Sequence, residues 1–397
     1  MAQARITVKD TQDRILRGHP WVFANQITAE EGEYAPGDVV QVLDARRRPL
    51  GQGYINPASL IRVRMLTPHV EERVNTAFIA ARIEQAWRSR QRHGLTGSCR
   101  VVFGDADFLP GLVVDRFVDV SDGGRSVLSV QFLTLGMERW KDVVLETLTT
   151  VLAPDGIYIR NDVPIREKEG LEQWKGFHGK PVNTDLVIEE NGLQLRVDVA
   201  GGQKTGHFMD QVLNHAAMKR ISRDRRVLDC FTHTGGFGLH AAAFGAKKVL
   251  GLDISEEAVA QATRNAAANK LEVCTFKVAN VFDYLTEASR AGNEWDVIVL
   301  DPPAFAKSRG ALDNAYRGYK EINLRAMKCI PSGGHLVTCS CSQHMTPELF
   351  RRMVAEAAHD AGRRLREVYY GSQPPDHPIL WGVPETHYLK CLILEVV

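Results

Sequence analysis

Through the C-terminal half of the chain, short unbroken apolar runs alternate with amphipathic stretches. Residues 227–231, 248–252, 276–279, 295–300 and 335–340 are β-biased runs bounded by turns, a pattern that predicts buried strands. Residues 237–244 read as the helix after the first run. Ser255 with Glu256 and Glu257 starts another by capping and by favourable charge in its first turn, and this helix runs to about Asn269. Strands alternating with helices predict an α/β fold with a doubly wound, Rossmann-like sheet.

The first 70 residues read differently. Turns at Pro36-Gly37-Asp38 and Gly51-Gln52-Gly53 separate strand-like residues 39–43 and 60–66, which predicts a small β-rich unit. Residues 71–95 then carry Phe78, Ile79, Ile83 and Trp87 at helical spacing. Runs at 100–103, 112–117 and 126–133 suggest an antiparallel sheet, followed by a helix over 138–152 and a strand at 156–160. A strand pair at 186–189 and 193–199 leads into the C-terminal sheet. The expected organisation is therefore a small β-rich domain over 1–70, a central α/β domain over 71–185 and a third domain over 186–397.

The chemistry concentrates in residues 226–253, RVLDCFTHTGGFGLHAAAFGAKKVLGLD. A strand ends at Phe231 and a glycine turn follows, in which Thr234, Gly235 and Gly236 let the backbone approach a ligand closely. The next strand ends at Asp253, about 18 residues past the glycines. In a doubly wound sheet such a carboxylate lies beside the turn and can accept both hydroxyls of a ribose. The turn lacks the G-x-G-x-x-G pattern that receives a pyrophosphate, so S-adenosylmethionine is favoured over NAD. A plain strand-helix-strand unit whose Asp caps the next helix is the alternative.

Two further constellations follow. Asn280 ends the third strand, where its amide could read an adenine edge or simply close a turn. The fourth strand delivers Asp301-Pro302-Pro303-Ala304-Phe305, whose prolines fix the backbone. In methyltransferases such a loop accompanies planar nitrogen-heterocycle acceptors; otherwise it is a rigid exit from a strand. The fifth run ends in Thr338-Cys339-Ser340-Cys341-Ser342, with two thiols expected on the crevice side. Carbon 5 of a pyrimidine is a poor nucleophile until a thiolate adds at carbon 6, so a Cys here suits that chemistry. A small buried strand residue is the bland reading of either Cys. The stretch AGGQKTGHFMDQ, with Lys204 among its glycines, could wrap a small anion but is not a Walker loop.

Composition narrows the setting. With 397 residues, 44% apolar and 24% charged, the chain reads as soluble and globular, with two or three domains. No run is long enough to span a membrane, and MAQARITVKD lacks a signal-peptide core, so a cytoplasmic location is expected. Seven cysteines without a C-x-x-C pair argue against a disulfide framework or a zinc site. A net charge of +1 does not announce a nucleic-acid binder. Residues 1–70 nevertheless place Arg14, Arg17, Arg46, Arg47, Arg48, Arg62 and Arg64 among Trp21, Phe23 and Tyr54, a composition suited to phosphate contact with base stacking, or to an ordinary charged surface. The polar stretch NDVPIREKEGL (161–171) reads equally as a solvated loop or as a substrate contact.

These motifs together resemble the RlmI-like class I methyltransferases, which make 5-methylcytosine in large-subunit ribosomal RNA. GHPWVF and GYINPASLIRVRML are similar to the N-terminal PUA domain of that family, and NDVPIREKEGL to its central domain. GQKTGHFMDQ, FTHTGGFG, DPPAF, RGYKEIN, TCSCS, DHPI and PETHYLK match its catalytic domain in order. The resemblance implies S-adenosylmethionine as cofactor, bordered by Lys204, Phe208, Asp210, Phe231, Thr234, Gly235, Gly236, Asp253, Asn280, Asp301 and Pro302. It also implies Cys341 as nucleophile, Asp301 on the cytosine edge, ribosomal RNA as partner and a possible homodimer. Which group removes the carbon 5 proton stays open among Cys339, Asp301 and water. The rival activities are guanine N7 methylation, which needs no thiol, and a non-catalytic RNA-binding assembly factor.

Overall fold

A computed structural model describes residues 3–9, 12–202, 205–292, 294–305 and 309–397. Lys204 lies outside the described residues. The chain divides into two compact units.

The first unit comprises Met1–Ile188, Val197–Met209 and Pro375–Thr386. It holds a six-stranded sheet in the order Trp21–Phe23, Ile61–Thr67, Pro49–Ile55, Val39–Leu43, Arg5–Val8, Ile27–Glu31. Alternating inward residues of these strands, among them Ile6, Val22, Val40, Val42, Ile55 and Val63, are fully buried and form its core. A five-stranded sheet follows, in the order Trp174–His178, Gly156–Asn161, Arg125–Phe132, Leu112–Asp119, Cys99–Phe103. The helices Thr76–Arg92 and Lys141–Leu152 lay Ile79, Ile83, Val144 and Leu148 on it. The helix expected over 138–152 is two helices. Thr134 caps the first, Leu135–Glu138, and Trp140 breaks the run before Lys141.

Two readings of this unit change. The stretch 161–171 is neither a solvated loop nor free for substrate at its key positions, because Arg166 and Glu169 are each 2% exposed. Arg166 donates to the Phe132 carbonyl and to Glu138. The Glu169 carboxylate accepts from Asn56 Nδ2 at 2.9 Å, Ser59 Oγ at 2.6 Å and Arg64 Nη2 at 3.2 Å. Arg64 and Tyr54 are likewise core residues, Tyr54 hydrogen-bonding to the Pro110 carbonyl and Thr134, so neither supplies a surface for nucleic acid. Removing one partner of such a network strands a buried charge. Glu169→Ala should therefore destabilise the chain by about 3–5 kcal/mol, and Glu169→Gln by less, as read by urea unfolding.

The second unit comprises Glu189–Arg196, Asp210–Pro374 and His387–Val397. Its strands and helices alternate: β1 (Arg226–Cys230), α1 (Gly236–Ala243), β2 (Lys248–Asp253), α2 (Glu256–Ala268), β3 (Cys274–Val278), α3 (Val281–Ala291), β4 (Val297–Leu300), α4 (Leu312–Lys328), β5 (His335–Ser340), α5 (Pro347–Asp360), β6 (Leu365–Gly371) and β7 (Lys390–Val396). The sheet order is β3-β2-β1-β4-β5-β7-β6, parallel except for β7, which runs antiparallel to both neighbours. The unbroken apolar runs are explained by burial on both faces. Leu228, Leu300 and Leu336 pack on one face with Leu285, Tyr319 and Phe350 of α3, α4 and α5. Val227, Val299 and Val337 pack on the other with Phe237 and Ala241 of α1. Strand order reverses between β1 and β4, and in such sheets ligands bind outside the carboxyl ends at that reversal.

Candidate active site

β1, β2, β4 and β5 run parallel, so the predicted residues that end them emerge at one end of the sheet. After β1 the chain turns through Phe231, His233 and Gly235 at φ values of +62°, +49° and +96°. Two of these are non-glycine residues in the left-handed region, so the surroundings must hold the turn. Much of that hold comes from Asp229 inside β1. Its Oδ2 accepts from Thr232 Oγ1 at 2.6 Å and from the Gly238 N–H at 2.8 Å, and burial raises its carboxyl to about 6. Sequence reasoning passed over Asp229, although a lone acid within a buried run was a visible signal.

The glycines answer to packing as well as to any ligand. A Cβ on Gly235 would lie 2.8 Å from Leu239 Cδ1, and one on Gly236 would lie 2.7 Å from both Cε1 and Nε2 of His215. Thr234 is partly accessible at the turn. Asp253 ends β2, also partly accessible, with Oδ2 accepting the His233 N–H at 2.9 Å and Oδ1 the Ser255 N–H at 3.0 Å. Each oxygen keeps a lone pair for a further donor. Asn280 serves as the N-cap of α3, its Oδ1 accepting the Phe282 N–H at 2.9 Å, which leaves the exposed NH2 as a donor.

Asp301 follows β4. Gln211 donates from Nε2 to its Oδ2 at 2.9 Å, and Gln211 is itself fixed by Asn214 at 2.6 Å. Burial pushes the Asp301 carboxyl up to about 7, against the opposing pull of His215 and the Gln211 hydrogen bond. Pro302 is buried, and Phe305 packs 4.7 Å from Tyr319 and 6.3 Å from Phe282, centroid to centroid. Asp210 is buried and accepts from Tyr388 Oη at 2.6 Å. Phe208 is partly accessible and falls in the first unit.

The two thiols part company. β5 stops at Ser340, so strand alternation ends before Cys341. Cys339 is fully buried opposite Cys391 of β7, with its thiol pushed well up by burial and in contact with Gln211. Cys341 is partly accessible beyond the strand end. Lys390 is fully buried, and its Nζ donates to the carbonyl of Ser342, the residue after Cys341, at 2.7 Å and to the Tyr388 carbonyl at 2.8 Å. Burial lowers this ammonium to about 8, and the Cys341 charge opposes that shift, so the two groups sense each other. A cation held next to a thiol favours the thiolate. Gln211 and Lys390 were both missed from sequence. Lys390 opens the strand KCLILEV, whose other residues except Glu395 are apolar, which was the available signal.

The residues present fit an S-adenosyl group: a strained glycine turn, then a carboxylate with unused lone pairs at the neighbouring strand end. Comparison with known proteins agrees. Residues 6–68 match the PUA-like domain family, and residues 143–393 match the S-adenosylmethionine-dependent methyltransferase family. The chain is 40% identical over 397 residues to the ribosomal RNA large subunit methyltransferase I of Tolumonas auensis, covering 98% of each chain. It is 38% identical over 404 residues to that of Cronobacter sakazakii, covering 100% of each. Among solved structures, a methyltransferase complexed with SAH superposes with a TM-score of 0.83 at 19% identity, over 98% of this chain and 99% of that one. An S-adenosylmethionine-dependent methyltransferase from Streptococcus mutans gives 0.82 at 19% identity with the same coverage. With a PUA-like domain ahead of an S-adenosylmethionine-dependent methyltransferase domain and relatives alike over its whole length, the chain belongs to the ribosomal RNA large subunit methyltransferase I family.

Proposed function

We propose that the chain methylates carbon 5 of a cytosine in large-subunit ribosomal RNA, with Cys341 as covalent nucleophile. The observation that carries this reading is an accessible thiol, Cys341, whose neighbour Ser342 holds the buried Lys390 ammonium on its carbonyl, at the end of the strand next to β4, which Asp301 follows. Asp253 would hold the cofactor ribose, Phe231, Thr234, Gly235 and Gly236 its methionine side, and the Asn280 NH2 the adenine. Phe208, Asp210 and Pro302 would border it. Bound there, S-adenosylmethionine supplies the methyl group as an electrophile.

The chain's own residues do the rest. The Cys341 thiolate adds to carbon 6, moving the ring electrons toward N3 and carbon 5. A neutral Asp301 matches the cytosine edge, accepting from the exocyclic amine and donating its proton to N3 as charge grows there. After methylation the carbon 5 proton leaves to a base, the C–S bond breaks to restore the C5–C6 double bond and the thiolate, and N3 gives up the proton it received. Asp301, having given up its proton, or water is left to take the carbon 5 proton, since the Cys339 thiol is buried and pushed well up.

A base inside a helix cannot reach Cys341, so the target must be loosened or flipped. Residues 1–70 would act as the RNA clamp. The first unit also offers Trp381, 97% exposed, on a loop whose Gly382 abuts the carbonyl of exposed Arg17. A fully exposed indole is a stacking platform, worth about 1–3 kcal/mol per base. Trp381→Ala should weaken RNA binding roughly 5- to 100-fold in filter binding while cofactor affinity stays put; equal RNA affinity would remove Trp381 from the interface.

Transfer of labelled methyl to unmodified large-subunit rRNA, followed by nucleoside analysis, tests the reading. Label in 5-methylcytosine is expected. Label in 7-methylguanine would overturn it.

A further inference from the structure

Beneath the glycine turn, three buried side chains from separate elements of the second unit converge. Glu190 closes the strand Asp185–Glu190, His215 stands on the short helix Val212–Ala217, and His240 stands on α1. Their exposures are 5%, 4% and 0%. His215 Nδ1 lies 2.5 Å from Glu190 Oε1, His240 Nε2 lies 3.6 Å from the same oxygen, and one ligand atom from each residue falls within 4.8 Å of the others. The rings stack with centroids 5.0 Å apart.

The His240 tautomer leaves Nε2 unprotonated, as a metal ligand requires, while His215 Nδ1 shares its proton with Glu190 and would have to lose it. His240 Nδ1 lies 2.7 Å from the Gly236 carbonyl, which can only accept, so Nδ1 carries the proton and Nε2 is left with a lone pair that accepts from Asn191 Nδ2 at 3.2 Å, 3.6 Å from Glu190 Oε1. A backbone carbonyl on the far nitrogen of a histidine is the usual outer partner of a metal-bound imidazole. Asn191 Nδ2 sits 3.2 Å from that Nε2 and 2.9 Å from the Val212 carbonyl, at the edge of the cluster. With the Glu190 carboxylate, the set is two imidazoles and one carboxylate in a dry site, a donor combination suited to zinc.

We propose that Glu190, His215 and His240 form a binding site for one divalent transition-metal ion, zinc being the best match. The ion would take the place now spanned by the His215–Glu190 hydrogen bond, with its proton released to solvent on binding. It would pin the Glu190 strand and the His215 helix to the start of α1. Because the His215 ring occupies the space against Gly236, the ion would also brace the turn that receives the cofactor. The expected absence of a zinc site rested on cysteine spacing, and this set contains none.

The full-length chain, stripped with EDTA, is titrated with Zn(II) and separately with Co(II). One zinc per chain should survive gel filtration, and cobalt should give the visible spectrum of a four-coordinate site without thiolate charge-transfer bands. Glu190→Gln and His240→Gln keep the side-chain volumes, so both should fold by circular dichroism yet retain zinc at least 10-fold more weakly. Zinc should raise the thermal midpoint of the native chain and leave that of the variants unmoved. Three results would overturn the proposal: no zinc held by the native chain, zinc held equally by the variants, or a cobalt spectrum with thiolate bands, which would place the ion on cysteines instead. Should either variant misfold, His215→Gln gives the same readout.

Discussion

Cys341→Ala will bind S-adenosylmethionine as the native chain does and will transfer methyl to rRNA at a rate lower by on the order of 10⁴-fold or more, the loss expected when a covalent nucleophile is removed. Without addition at carbon 6, carbon 5 has no electron density to offer. Cys339, the nearest thiol in sequence, cannot stand in, because its thiol is buried and pushed well up, and it pairs across the sheet with Cys391. Cofactor binding should survive, because the turn after β1 and Asp253 owe nothing to Cys341. Cys341→Ser should be nearly as impaired, a hydroxyl being far harder to ionise beside Lys390 than a thiol. Filter-bound label from the methyl donor measures the rate, and calorimetry with S-adenosylhomocysteine measures cofactor affinity. Activity within 10-fold of native would remove the thiol from the chemistry.

Asp301→Asn should divide binding from catalysis. An amide at this position can still meet a cytosine edge, accepting from the exocyclic amine and donating to N3, so KM should change little. It cannot give a proton to N3, and the loss of a general acid lowers kcat by about 10²- to 10⁴-fold. In the native chain the acid works only while neutral. With its carboxyl raised to about 7, kcat/KM should fall as pH rises through 7 if substrate leaves that value in place. The stability consequence has a definite sign. The folded chain holds this proton more tightly than the unfolded chain, whose aspartates titrate near 3.8, so raising the pH from 4 to 7 progressively destabilises the native fold. An Asn carries no such penalty. Asp301→Asn should therefore match native stability near pH 4 and exceed it above pH 7, by about 1–3 kcal/mol after allowing for partial access to solvent. A pH-independent difference in unfolding free energy would contradict the buried-acid account of Asp301.

The sheet of the second unit was legible because its strands are buried on both faces, and short Val/Ile/Leu runs bounded by turns fit little else. The boundaries of β5 match the reading residue for residue, β1 is shifted by one residue at each end, and β2 is one residue longer. The last two strands were not foreseen, since β6 has no continuous apolar run and pairs at the sheet edge through long-range register. At the site, glycine, proline and acid positions could be read because backbone conformation and charge are local properties. What escaped was the support around them. Gln211 aims Asp301 from 90 residues away, and Lys390 reaches the Ser342 carbonyl, next to Cys341, from the antiparallel strand β7. The thiol pair shows the converse error: alternation was assumed past Ser340, where the strand had already stopped. Arg64, Arg166 and Glu169 looked like surface charge because composition cannot show that each meets an opposite charge inside a core.

The central claim, a covalent bond between Cys341 and carbon 6, is tested most directly by trapping. Target rRNA carrying 5-fluorocytidine is incubated with the chain and S-adenosylmethionine, then run on a denaturing gel. Fluorine at carbon 5 cannot leave as a proton does, so the native chain should accumulate a stable one-to-one adduct that requires the cofactor, with the crosslink mapped to Cys341. Cys341→Ala should form none. Methyl transfer by the native chain without any trapped adduct, or an adduct that persists in Cys341→Ala, would contradict the account.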